Sequence, residues 1–204
     1  MKTFILALTA SMAFSNIAEA SAEEYQVGDM IMQSDEFKSA AGIKILSGSK
    51  FNHVGIVVEK NGQLYVAEAL GRVVYTDIDD YIERGEDYAH IRLDEDLSES
   101  DKTKISSAVR KYIGKRYDAA LSWSDDRMYC SELVQKVYKD ALDIEVANER
   151  KIKQHAMVAF VPLLKSGMIE VPAVFSDIVE NIDTDEIVVT PADILRSGNT
   201  RRVR

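Results

Sequence analysis

Two apolar, β-branched stretches joined by an Asn-Gly pair are the most restrictive feature of this sequence. Residues 53–60 (HVGIVVEK) and 63–70 (QLYVAEAL) flank Asn61 and Gly62. An Asn-Gly pair favours the positive φ angles of a type I′ turn, a common two-residue connection between antiparallel strands. The sequence therefore predicts a hairpin, and a two-residue loop fixes its register so that paired positions sum to 123.

That register places two ionisable residues on the same face of the hairpin. His53 lies opposite Leu70, and Glu68 is its diagonal neighbour, about 7–8 Å away at Cα. Both faces are otherwise apolar, so the hairpin is expected to be buried on both sides, and a buried carboxylate needs a partner. We expect Glu68 to bind one nitrogen of His53 and to leave the other nitrogen free as a base. A purely structural His–Glu pair is the alternative.

The rest of the chain predicts an α+β domain. Further strands are expected near residues 30–32, 73–76, 88–93 and 186–189, and helices at 36–46, 77–84, 98–112 and Cys130–Leu142. The last of these helices has a clear amphipathic pattern. Its predicted buried side chains are Leu133, Val134, Val137, Tyr138, Ala141 and Leu142, and its predicted solvent-facing side chains are Glu132, Gln135, Lys136, Lys139 and Asp140.

Cys130 is the only cysteine in the chain. It begins the last predicted helix, where unpaired backbone N–H groups and the helix dipole stabilise a thiolate and can also bind an oxyanion. A lone cysteine in an exported protein indicates either a reactive thiol or intermolecular pairing. The alternative is a small buried apolar residue on the helix stripe.

The N-terminus has the pattern of a secretory signal peptide. One basic residue precedes an apolar run from residue 4 to residue 18, and small residues follow at possible cleavage sites after Ala20 or Ala22. We therefore predict a signal peptide at residues 1–20, a single domain at residues 21–204, and an exported, periplasmic or secreted protein. The run is too short to span a bilayer.

Composition and motifs exclude several kinds of function. A formal net charge of −9 argues against a nucleic-acid partner, because phosphate binding needs clustered Lys and Arg. One cysteine and three scattered histidines give no zinc-type spacing, so no metal is predicted. No nucleotide-binding or serine-hydrolase motif is present, so no cofactor is predicted either. The oligomeric state is left open.

Several short motifs, taken in order, resemble one known family. They are Gly28-Asp29-Met30-Ile31, Ser49-Lys50-Phe51-Asn52-His53-Val54-Gly55-Ile56-Val57, Val66-Ala67-Glu68-Ala69, Gly114-Lys115-Arg116-Tyr117-Asp118, Tyr129-Cys130-Ser131-Glu132-Leu133-Val134 and Val189-Thr190-Pro191-Ala192-Asp193-Ile194. This set is similar to the YiiX-type permuted papain-like enzymes, relatives of the NlpC-type cell-wall peptidases and, more distantly, of lecithin:retinol acyltransferase.

The resemblance implies a circularly permuted papain-like fold, in which an antiparallel barrel-like sheet packs on the helix that carries the nucleophile. It also implies a cysteine hydrolase with Cys130 as nucleophile, His53 as base and Glu68 as the residue that orients His53. The expected substrate is an amide bond in a small peptide or a cell-wall-derived molecule. The alternatives are a lipid amide or ester, for which the apolar residues 157–164 could form an acyl channel, and a non-catalytic binding protein.

Overall fold

The computed structural model of the protein describes residues 25–34, 49–118, 121–155, 161–166, 168 and 183–204. The predicted signal peptide, the predicted helix at 36–46 and residues 157–160 of the apolar stretch 157–164 lie outside these residues. Within the described ranges, no helix is both long and apolar enough to cross a membrane.

The described residues form ten strands. In chain order they are β1 (Met30–Ser34), β2 (His53–Lys60), β3 (Gln63–Leu70), β4 (Arg72–Thr76), β5 (Asp87–Leu93), β6 (Arg116–Tyr117), β7 (Arg127–Met128), β8 (Arg150–Lys151), β9 (Ile187–Val188) and β10 (Thr200–Arg202). Eight of them make one sheet in the order β10-β5-β1-β2-β3-β4-β6-β7, and β8 pairs with β9. Neighbouring strands are antiparallel except β6 and β7, which are parallel.

The sheet is open, so the expectation of a barrel-like sheet was wrong. Among the described strands, β10 and β7 lie at opposite edges and do not pair with each other. Closure of a barrel requires continuous, staggered pairing around the whole ring. Here β6 and β7 have only two residues each, and the chain passes from β7 into a helix at residue 130. The predicted α+β class is confirmed.

The central hairpin has the predicted register. Strands β2 and β3 pair from Lys60–Gln63 to Ile56–Ala67, and every pair sums to 123. The turn residues Asn61 and Gly62 have φ angles of 55° and 79°, the positive values that a type I′ turn requires. The local sequence is therefore sufficient to fix the alignment of these two strands.

The described residues also form five helices: α1 (Ile78–Arg84), α2 (Glu99–Ala108), α3 (Cys130–Leu142), α4 (Val161–Lys165) and α5 (Pro191–Leu195). Helix α2 begins after Ser98, whose hydroxyl accepts a hydrogen bond from the Asp101 amide, and it continues as a 3₁₀ turn at Val109–Lys111. Helices α2 and α3 pack on one face of the sheet against β2. On the other face, Tyr81 of α1 packs with Ile31, Val57 and Val66.

Four of the six apolar residues predicted to be buried on α3 are fully buried, Ala141 and Leu142 are half-buried, and two polar residues of the helix are buried as well. Leu133, Val134, Val137 and Tyr138 have no exposed surface, and neither do Glu132 and Gln135, which were expected to face water. The carboxylate of Glu132 accepts a hydrogen bond from the Tyr129 amide, and the amide oxygen of Gln135 accepts from the Val146 and Ala147 amides. Both side chains satisfy backbone groups, which a pattern of hydrophobicity does not reveal.

Candidate active site

The first turn of α3 holds Cys130 in a buried position. Tyr129 caps the helix in an extended conformation, and Glu132 completes the cap by accepting a hydrogen bond from the Tyr129 amide at 3.1 Å. Ser131 donates a hydrogen bond from its hydroxyl to the Val189 carbonyl at 2.7 Å, which ties the helix start to the segment after β9. Cys130 is only 3% exposed. Its sulfur therefore lies at a fixed helix N-terminus, among amides that have no partner within the helix.

His53 at the start of β2 contacts both Cys130 and Glu68. Its Nε2 lies 2.6 Å from Oε2 of Glu68, and its ring is hydrogen-bonded to the Cys130 sulfur. Since Glu68 occupies Nε2, the nitrogen left for Cys130 is Nδ1. The ring of His53 also stacks on Tyr81, with centroids 5.8 Å apart. The contact that the hairpin register predicted between His53 and Glu68 is thus present.

Glu68 is fully buried and makes further charge-assisted hydrogen bonds. Arg84 at the end of α1 donates to both carboxylate oxygens, at 3.0 Å to Oε1 and 2.6 Å to Oε2, and the Thr76 hydroxyl donates to Oε1 at 2.5 Å. Arg84 also contacts the side-chain oxygen of Gln33 on β1. These partners hold the carboxylate in one position and satisfy both of its oxygens.

The pKa values of the three central groups follow from these contacts. Burial alone would lower the pKa of His53, but the hydrogen bonds and charges of Cys130 and Glu68 outweigh burial and raise it from 6.5 to about 9. Burial alone would raise the pKa of Glu68, but His53, Arg84 and Thr76 lower it from 4.5 to about 2. Glu68 therefore stays ionised, and its charge favours the imidazolium form of His53.

The Cys130 thiol has a lowered pKa despite its burial. Burial raises this pKa, whereas the hydrogen bond and charge of His53 lower it, as do hydrogen bonds from the backbone N–H groups of Val54 and Ser131. The net effect is a pKa below the ordinary value of 9.0. The arrangement favours a thiolate–imidazolium pair, which is the state that activates a cysteine as a nucleophile.

Sequence reasoning missed three neighbours of this group: Arg84, Thr76 and Tyr117. The sequence places Arg84 at the end of a predicted short helix and gives no sign of its contact with Glu68, although a buried carboxylate favours a cationic partner. Thr76 lies on the same sheet face because it pairs with Val66, two residues from Glu68. Burial and the nearby charge of Cys130 raise the pKa of Tyr117, so its hydroxyl keeps its proton.

The other candidate donors do not complete a metal site. In the described residues, no group of three or more His, Cys, Asp or Glu side chains is placed to bind a metal ion. Within the central group, both oxygens of Glu68 are already engaged, which leaves Cys130 and Nδ1 of His53, fewer ligands than zinc usually takes from a protein. The second imidazole, His90, lies 2.7 Å from Asp29, which is also bound by Arg92.

Comparisons with known proteins agree with this arrangement. A family model described as permuted papain-like amidase enzymes of the YaeF/YiiX type, peptidase family C92, matches residues 24–204. The uncharacterised protein YiiX of Escherichia coli K12 is 34% identical over 168 residues, which cover 81% of this chain and 79% of that protein.

A solved structure supports the same relationship. The crystal structure of YiiX from Escherichia coli O157:H7, described as a metalloprotein, superposes with a TM-score of 0.78 at 33% identity, covering 89% of this chain and 97% of that one. The match extends over nearly the whole of both chains. The chain therefore belongs to the YaeF/YiiX family of permuted papain-like amidases, enzymes of the cysteine peptidase kind.

Proposed function

We propose that this protein hydrolyses an amide bond in a small peptide or cell-wall-derived substrate, through an acyl-enzyme on Cys130. The observation that carries the proposal is the chain of contacts from the Cys130 sulfur to His53, and from His53 to Glu68. A buried thiol with a lowered pKa, an imidazole beside it and a carboxylate behind the imidazole are the three parts of a cysteine hydrolase.

Each step of the reaction has a residue to perform it. The Cys130 thiolate attacks the carbonyl carbon of the substrate, and the N–H of Cys130 donates to the resulting oxyanion. The His53 imidazolium then gives its proton to the leaving amine as the C–N bond breaks. Water next attacks the thioester while His53 accepts a proton from it, and the acid product leaves with Cys130 regenerated. No electron is gained or lost in the cycle.

Glu68 and Tyr117 support this cycle in different ways. Glu68 fixes the His53 ring so that Nδ1 faces the sulfur, and its charge stabilises the imidazolium during the reaction. Tyr117 carries a hydroxyl that remains protonated beside Cys130, and we assign to it a second hydrogen bond to the oxyanion. The hydroxyl of Tyr129 is instead held at the segment after β9, where it accepts a hydrogen bond from the Val189 amide at 3.2 Å.

We further propose that the protein acts after export, as a mature chain that begins after Ala20 or Ala22. The support is the N-terminal pattern of a basic residue, an apolar run and small residues. N-terminal sequencing of the protein recovered from the periplasm or medium of an expressing bacterium tests this step. Recovery of a cytoplasmic protein that retains residues 1–20 contradicts it.

The proposed reaction is tested by one incubation with two kinds of substrate. Wild-type protein and the Cys130→Ala variant are incubated with peptidoglycan peptides and phospholipids, and the products are identified by mass spectrometry. We expect cleaved peptides and a transient acyl adduct on Cys130 with the wild type only. Release of a fatty acid without peptide cleavage would show that the substrate is a lipid and not a peptide. The absence of any product from either substrate would indicate a non-catalytic binding protein.

A further inference from the structure

Three exposed arginines form a row across the edge of the sheet. Arg72 of β4 pairs with Arg116 of β6, and Arg116 pairs with Arg127 of β7. Residues paired across neighbouring strands carry their side chains on the same face of a sheet. The three guanidinium groups therefore project from one face, on strands that lie about 4.8 Å apart.

This row is electrostatically unfavourable in the protein alone. Backbone hydrogen bonds of 2.9 and 2.8 Å flank the Arg72–Arg116 pair, so it is the kind of antiparallel pair whose side chains lie closest, with about 4.5 Å between Cα atoms. Like charges in such positions destabilise a sheet. Arg72 donates to the Gly114 carbonyl at 3.0 Å, but within the described residues none of the three arginines binds a carboxylate.

Several other arginines of the described chain bind acidic partners, although Arg110 on the 3₁₀ turn after α2 does not. Arg84 binds Glu68, Arg92 binds Asp29 and Arg150 binds Asp193. The whole chain has 34 acidic residues against 25 basic ones, so carboxylates are plentiful. Arg72, Arg116 and Arg127 are adjacent and have no such partner among the residues that the structure describes, so they form a cluster of available cations.

The row lies on the same face of the sheet as the proposed catalytic carboxylate. Strand β3 pairs Glu68 with Val74 and Leu70 with Arg72, so these four side chains share one face. Leu70 and Val74 are 40% and 37% exposed and add an apolar component to it. We call the surface formed by Leu70, Arg72, Val74, Arg116 and Arg127 the arginine strip. It begins beside Glu68 and ends three residues before Cys130.

We propose that the arginine strip binds the carboxylates of an acidic peptide substrate while its amide bond is held at Cys130. A guanidinium group can bind a carboxylate through two parallel hydrogen bonds. Arg72 and Arg127 are two strand spacings apart, about 10 Å, which matches carboxylates about three residues apart on an extended peptide. Leu70 and Val74 would contact the aliphatic parts of the peptide. This proposal rests on the proposed amidase function.

Binding without turnover provides the test. In the Cys130→Ala protein, Arg72→Gln, Arg116→Gln, Arg127→Gln and the triple variant are titrated with acidic peptidoglycan peptides and with the same peptides after amidation of their carboxylates. We expect each single change to weaken binding of the acidic peptides about threefold to fivefold, and the triple change more than tenfold, with little effect on amidated peptides. Raised salt should weaken only the binding that depends on the strip.

Arg110→Gln is the matched control, because Arg110 is also exposed and makes no ion pair with a described residue, but it lies on the 3₁₀ turn after α2. It should bind the acidic peptides as tightly as the parent protein. The triple variant should unfold at the same or a higher temperature than its parent, because the mutual repulsion is removed. That measurement separates lost recognition from lost folding.

The outcomes distinguish the strip from the catalytic proposal. Equal affinity of parent and triple variant for the acidic peptides overturns the assignment of the strip, even if wild-type protein cleaves them. If the triple variant loses binding but the wild type does not cleave the peptides, the result supports the arginine strip as a binding site and contradicts the proposed amidase function. Finally, the parent protein and the triple variant are tested for binding to vesicles of phosphatidylglycerol and of phosphatidylcholine. If the triple variant loses binding to the anionic vesicles but keeps its affinity for the peptides, the strip binds a membrane surface and not a peptide.

Discussion

Replacement of His53 by alanine should remove the low-pH reactivity of the Cys130 thiol. In the wild type the proton stays on His53 up to a pH of about 9, and the imidazolium lowers the pKa of the Cys130 thiol. The hypothesis under test is that this pair exists as thiolate and imidazolium at pH 6. Without the imidazole, burial remains and raises the pKa of the thiol from its ordinary value of 9.0. At pH 6 a thiol with that ordinary value is ionised in about one molecule in a thousand.

The expected change in the rate of alkylation follows from these populations. For a complete thiolate–imidazolium pair, the thiolate population at pH 6 falls about thousandfold in His53→Ala. A thiolate of lower pKa is intrinsically less nucleophilic. With a Brønsted slope of about 0.4–0.5, a thousandfold gain in thiolate population through a lower pKa is offset about 20-fold. We therefore expect iodoacetamide to label the variant about 50-fold more slowly than the wild type at pH 6. The difference should shrink as the pH approaches 9.

The assay measures labelling of Cys130 by intact-mass spectrometry between pH 5 and pH 10. Since Cys130 is the only cysteine, every adduct reports this thiol. His155→Ala is the control, because His155 is another buried imidazole in the described chain but lies next to Asp193 rather than Cys130. Wild-type labelling that begins only above pH 8, or equal rates for wild type and His53→Ala at pH 6, would refute the thiolate–imidazolium pair.

Three further predictions follow from the same contacts. Amide hydrolysis should decline above a pH of about 9, because His53 then loses the proton that the leaving amine needs; a pH–rate profile that stays level to pH 11 contradicts this role. Glu68→Gln should lower the free energy of unfolding at pH 7 by about 3 kcal/mol, since the carboxyl pKa is about 2 when folded and 4.5 otherwise. This contribution is present above pH 4.5 and is lost as the pH falls toward 2. Urea denaturation should therefore show a smaller difference in the free energy of unfolding between wild type and Glu68→Gln at pH 3 than at pH 7. Treatment with EDTA should leave the labelling of Cys130 unchanged, and a large change would show that a metal ion controls the thiol.

Some features of the site could be read from the sequence because they depend on local geometry. The Asn61-Gly62 turn fixes the hairpin register, and the two-residue period of a strand then places His53 and Glu68 on one face. Likewise, the apolar spacing after Cys130 defines the helix Cys130–Leu142, so the position of the thiol at a helix N-terminus was predictable.

The polar contacts of buried residues could not be predicted in the same way. Hydrophobic periodicity assigned Glu132 and Gln135 to solvent, whereas both satisfy backbone amides in the interior. Nothing in the sequence around Arg84 predicts its hydrogen bonds with Glu68, which lies 16 positions earlier in the chain. Such contacts depend on how α1 and α3 pack against the sheet, and many placements of these helices are compatible with the same local pattern.

The sequence by itself thus determined the hairpin, the helix that begins at Cys130 and, through ordered motifs, the family. Tertiary structure alone decided that the sheet stays open, that Arg84 and Thr76 hold Glu68, and that Arg72, Arg116 and Arg127 form a row. The physical reason is the range of the interactions. Turn geometry and side-chain periodicity act over a few residues. The pairing of β4 with β6 joins residues 44 positions apart and that of β6 with β7 joins residues 11 positions apart, so only tertiary packing selects it.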